Sequence, residues 1–181
     1  MTMTVDEFWN HIRATRRRDP DEHAERLVVR FAKLTREDIV DFCFWWGRMH
    51  TEAYRINLWA AAYYVNGGCS DDGFDYFRNW LILQGRDVFM AAVRDPNTLA
   101  DVCKDGTADG EFMCDYEPGW QAWDMAVGSG TDEEFNALFD ARHPEKFPAP
   151  GLGEHWDFDN PQMIRQYLPR FYHEEDEDGG R

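Results

Sequence analysis

The feature that most constrains this chain is a run of helix-start signals with no alternating strand pattern between them. Thr4, with Glu7 at the third position beyond it, forms a capping box ahead of Phe8, Trp9 and Ile12. Asp19-Pro20-Asp21-Glu22 supplies an N-cap, a proline suited to the first helical position and an acidic first turn. Leu27, Phe31 and Leu34 then recur at helical spacing. Thr35-Arg36-Glu37-Asp38 opens a third helix through Ile39, Phe42, Cys43 and Trp46. Its pattern meets no strong stop before Asn66-Gly67-Gly68, which predicts one helix of about 30 residues, long against the usual ~8–20. Gly47 is the expected bend or break, because a mid-helix glycine costs about 1 kcal/mol relative to alanine.

Punctuation is densest at Asn66-Gly67-Gly68-Cys69-Ser70-Asp71-Asp72-Gly73. The glycines suit a left-handed helix end, and Ser70, Asp71 and Asp72 are each candidates to cap a helix through Phe74, Phe77 and Leu81. Gly85 ends or bends that helix. Further on, 105–110 reads as a loop, and Pro118-Gly119 must start or break a helix within 111–127. Thr131 with Glu134 reads as another capping box, 143–153 as an extended Pro/Gly-rich connector, and Asn160-Pro161 as the cap of a last helix. Glu174 to Arg181 is acidic and ends in glycines, the composition of a disordered tail. The expectation is an all-α chain: one compact helical domain of about seven or eight helices over 1–172, then a disordered acidic tail at 173–181.

Charge narrows the function classes. Residues 1–50 carry 9 basic and 9 acidic side chains, so the whole formal charge of −16 lies in the remaining 131 residues. Such a surface repels phosphate backbones and anionic lipids, which argues against nucleic-acid and membrane partners. Arg16-Arg17-Arg18 is the local exception and reads as a solvated helix end. No apolar run approaches the ~18 residues of a membrane span, and 1–18 carries no secretory pattern. The cysteines Cys43, Cys69, Cys103 and Cys114 have no C-x-x-C spacing, so reduced thiols in a cytoplasm are the expectation.

The chemically loaded segment is 52–86. Asp71, Asp72 and Asp75 repel one another unless a helix N-terminus, Arg78 or a divalent cation offsets their charge. Each of the three offsets stays open from sequence. Cys69 sits just before a helix start, a position that lowers a thiol pKa, and His50 is its candidate base.

The stretch Leu58–Ile82, with N-G-G-C-S-D-D-x-F at 66–74, resembles the bacterial domain-of-unknown-function family 4240. Asp6-Glu7-Phe8-Trp9 and Trp156-Asp157-Phe158-Asp159 fit its pattern more loosely. The resemblance runs from about Thr4 to Gly128, the family-like core of 4–128, and more loosely to Pro169 within a C-terminal extension of 129–172. It implies a bacterial, cytoplasmic, mostly helical domain and carries no reaction.

Two readings of function follow. One is a binding or regulatory module whose acidic face, with Trp59, Asn66, Cys69, Asp71, Asp72, Asp75, Arg78 and Trp80 near its centre, receives a basic protein or peptide. The other is a hydrolase or transferase at the 66–80 loop and helix. There Asp72 would be base or ligand, Asp71 and Asp75 its supports in holding a divalent cation, and Arg78 an anion clamp.

Overall fold

Side chains that close their own helix ends set the element boundaries. In the computed structural model, Thr4 and Glu7 form the expected capping box, with the Thr4 backbone N–H donating to Glu7 Oε2 at 2.8 Å. Asp19 accepts from the Glu22 N–H at 2.9 Å ahead of Pro20. Thr35 pairs reciprocally with Asp38. The helices that follow these caps are α1 (Val5–Thr15), α2 (Pro20–Phe31) and α3 (Arg36–Glu52). After them come α4 (Ile56–Val65), α5 (Asp71–Leu83), α6 (Arg86–Arg94), a 3-10 turn at Pro96–Asp101, α7 (Pro118–Val127), α8 (Asp132–Arg142) and α9 (Pro161–Tyr167). The structure describes residues 2–103, 112–145, 151–152 and 156–171, and no strand occurs among them. The expected loop at 105–110, most of the connector at 143–153 and the acidic tail at 173–181 lie outside the described residues.

Two local expectations are corrected. The long third helix does break, but not at Gly47, which lies inside an uninterrupted α3. The break is at 53–55, where Ala53 is fully buried and Arg55 turns extended at φ −137° and ψ 139°. Arg55 Nε donates to the Glu52 carbonyl at 2.9 Å, satisfying an acceptor that the helix end leaves open. Thr131 makes no side-chain cap on α8. Its hydroxyl is taken, donating to the Gly128 carbonyl and accepting from Trp123 Nε1, both at 2.8 Å.

The buried side chains form one cluster dominated by aromatics. Phe42 of α3 touches Phe8 of α1, Phe31 of α2 and Trp46 at ring-centroid distances of 5.3, 4.1 and 5.7 Å. Each such ring removed from water contributes about 1.5–3 kcal/mol. α7 packs against α2 and α3 closely enough that a Cβ at Gly119 would stand 2.3 Å from Cys43 Sγ, so glycine is required there.

Among the described residues, one charged side chain sits at zero exposure: Asp41 of α3. It accepts from the Met3 backbone N–H at 2.7 Å, from Arg142 Nε and Nη2 at 2.8 and 2.7 Å, and lies 2.8 Å from His143 Nε2. Burial pushes the Asp41 carboxyl upward, but these donors outweigh it and hold its pKa below the usual value. The His143 ring stacks on Phe44 at 3.8 Å. This clasp ties the residues before α1, the middle of α3 and the end of α8 together.

Candidate functional site

The 66–73 loop is built before it is available for chemistry. α4 ends in paired bonds from the Gly68 N–H to the Tyr63 carbonyl at 2.8 Å and from the Gly67 N–H to the Tyr64 carbonyl at 3.5 Å. That closure needs positive φ, and Gly67 and Gly68 stand at 66° and 132°. Asn66 is buried; its Nδ2 donates to the Ala62 carbonyl at 2.9 Å and its Oδ1 accepts from the Phe112 N–H at 3.0 Å. Trp59 Nε1 donates to the Cys69 carbonyl at 2.9 Å, and its ring stacks on Phe74 at 5.0 Å. Ser70, rather than Asp71 or Asp72, caps α5 by accepting from the Gly73 N–H at 3.1 Å. Trp80 packs into the core between Phe77 and Phe112. Trp59, Asn66 and Trp80 are thus framework residues.

Arg78 is buried and fully engaged. It pairs with Asp75, donates to the His50 carbonyl at 3.0 Å, and lies 4.9 and 5.0 Å from the Tyr54 and Phe74 ring centres. Burial pushes its pKa down to about 10, which leaves it charged at neutral pH. Its side chain is 8% exposed, which leaves little surface to meet an anion.

The carboxylates do not converge on a metal site. Asp71 and Asp72 are exposed, successive residues at the start of α5, and so point about 100° apart. Asp75 has turned to Arg78. Among the described residues, no three His, Cys, Asp or Glu side chains are arranged to hold a metal ion. The expected low thiol pKa at Cys69 is also corrected: burial raises it to about 11.

The structure instead opens a cleft between α3, α5 and the start of α7, which the sequence does not reveal. Its residues come from three helices. α3 contributes Cys43, Trp46, Gly47 and His50, an i, i+3, i+4, i+7 stripe. α5 contributes Asn79. Glu117, Gly119 and Trp120 from the start of α7 close the other side, around a volume of about 200 Å³. Trp46 Nε1 donates to Asn79 Oδ1 at 3.3 Å, and Asn79 Nδ2 donates to the Cys114 carbonyl at 3.1 Å. Trp120 is braced by Phe135, with ring centres 4.1 Å apart.

Two properties define what the cleft can do. His50 Nε2 lies 3.3 Å from the Asp75 carbonyl oxygen, and burial together with the neighbouring Arg78 charge pushes the imidazole down to about 3. It is neutral at physiological pH and a weak base. Burial raises the Cys43 thiol far above neutral. The cleft therefore offers aromatic faces and one carboxylate, Glu117, which is exposed and has no cation partner among the described residues. Asp72, Asp75 and Asn79 follow one another at i, i+3 and i+7 on α5, so the acidic start of that helix shares a face with the residue bordering the cleft.

No helix of the described residues is long and apolar enough to cross a membrane. No curated protein and no solved structure matches the chain. The profile of one family, described as protein of unknown function (DUF4240), matches residues 3–130. It takes in the 66–74 motif, the cleft and Asp41, and stops short of Arg142 and His143. As that match spans well over half of its length, the chain belongs to this family.

Proposed function

We propose that this chain is a cytoplasmic binding or regulatory module whose acidic face takes up a basic protein or peptide. The observation that carries this reading is where the charge lies. All of the net −16 falls within 51–181, and Asp71, Asp72 and Glu117 are exposed without a cation partner among the described residues. Complementary charge of this kind raises the encounter rate with basic partners and sets partner choice. The groups that acid–base or thiol chemistry would use here support binding over turnover, since His50 stands at about 3 and Cys69 at about 11.

A titration with a synthetic peptide of alternating arginine and glycine tests the reading. Binding should weaken steeply between about 50 mM and about 500 mM NaCl, as screened surface charges require. A peptide that fails to bind at low salt, or whose affinity ignores salt, would sink it. Native mass spectrometry of protein purified without chelator tests the hydrolase or transferase reading in parallel: a retained divalent ion that Asp72→Asn removes would favour that alternative.

A further inference from the structure

We propose that the cleft between α3, α5 and α7 seats a single arginine side chain of the basic partner, and that Gly47 is there to keep the cleft open. This rests on the acidic-face reading and adds the place and the residue type.

The argument begins with Gly47. Glycine inside a helix costs stability, and proteins keep it where backbone or neighbours demand it. Neither demand applies. α3 runs through this position without a break, and Gly47 is not among the glycines with positive φ. A Cβ built there meets nothing within 4 Å. Gly119, on the opposite wall, shows the contrast, since a Cβ there collides with Cys43. Gly47 is thus a helix-weakening residue that packing does not require, and it lines the cleft. The space around its missing Cβ is open, and a long side chain at this position would take up room in the cleft that Gly47 lines.

The size and lining select the occupant. About 200 Å³ is smaller than the ~300–1,000 Å³ of clefts that hold whole cofactors or drug-sized ligands, and suits one long side chain. Trp46 and the half-buried Trp120 line the cleft, and against indole rings a guanidinium packs more readily than an ammonium. Glu117 supplies the opposite charge at the rim, in a form that a planar fork of donors can engage with two bonds. The basic residues already nearby do not oppose the guest: His50 is neutral, and the Arg78 charge is paired with Asp75. On α5, Asp72 shares the stripe that leads to Asn79, so the residues flanking a seated arginine would lie along an acidic helix face.

The test compares the parent with Gly47→Leu and Glu117→Gln, using the arginine–glycine peptide and its lysine–glycine counterpart in calorimetric titrations at low salt. Thermal melts accompany each variant. Gly47→Leu should melt no lower than the parent yet bind the arginine peptide about tenfold more weakly, and Glu117→Gln should weaken it similarly. The parent should also prefer the arginine peptide over the lysine peptide. If the arginine peptide binds Gly47→Leu as tightly as it binds the parent, the seat is wrong while the acidic-face reading survives. If neither peptide binds the parent, both fail. Equal affinity for the two peptides would overturn the assignment to arginine.

Discussion

Gly47 and His50 sit one turn apart on α3, and each supports a prediction about stability alone. With open space around its missing Cβ, Gly47→Ala should stabilise the fold by about 0.5–1 kcal/mol, read from the urea midpoint. A loss of stability would mean that the glycine serves the backbone after all. At His50 the folded pKa of about 3 lies well below the ordinary histidine value of 6.5. Between those values the unfolded chain binds the proton and the folded chain does not, so stability falls as pH drops below about 6.5. Tm should therefore be lower at pH 5 than at pH 7, and His50→Asn should flatten part of that slope. Because His50 is only half-buried, solvent screening keeps the effect below the ~1.4 kcal/mol per pH unit of a fully linked proton. His11 and His23 are also shifted down, chiefly by burial, so a residual slope in the same direction remains. An unchanged slope in His50→Asn would remove His50 from the account.

At the scale of elements, α5 separates capping from charge. Ser70→Ala should cost about 0.5–2 kcal/mol, because the Gly73 N–H loses its acceptor. Asp72→Asn should cost no more than the ~0.3–1 kcal/mol of a helix-dipole contact. Urea unfolding of the two variants checks the order, and a larger loss at Asp72 would reverse the assignment of the cap. These caps are also where the sequence was most legible. Thr4, Asp19, Thr35, Ser70 and Asn160 each close a helix through a residue two or three positions on, so composition and spacing suffice. Thr131 carries the same signal and does not cap, because Trp123 and Gly128 claim its hydroxyl from outside the local window. The α3–α4 break was misplaced at Gly47 for a related reason. What turns the chain is the burial of Ala53 and the extended Arg55, and neither has a punctuating composition. The cleft was hidden altogether. Its walls are drawn from positions 43–50, 79 and 117–120, and only packing brings them together.

Across the whole molecule, Asp41 joins parts of the chain that no local rule connects. Asp41→Asn should cost about 3–5 kcal/mol by removing the buried carboxylate that pairs with Arg142 and accepts from the Met3 N–H. Combined with Arg142→Ala, the loss should fall well short of the sum of the two single losses, since both remove one interaction. A loss below about 1 kcal/mol for Asp41→Asn would show that the clasp is a bystander. The clasp also bears on how the chain is made. Asp41 and Arg142 are 101 positions apart. At ~5–20 residues per second, a ribosome needs about 5–20 s to deliver the second after the first. Throughout that interval the Met3 N–H is the one donor of the finished clasp already made, and water must serve the rest of the Asp41 carboxylate. The centre of α3 therefore gains its full set of donors only once α8 has emerged with Arg142 and His143 behind it.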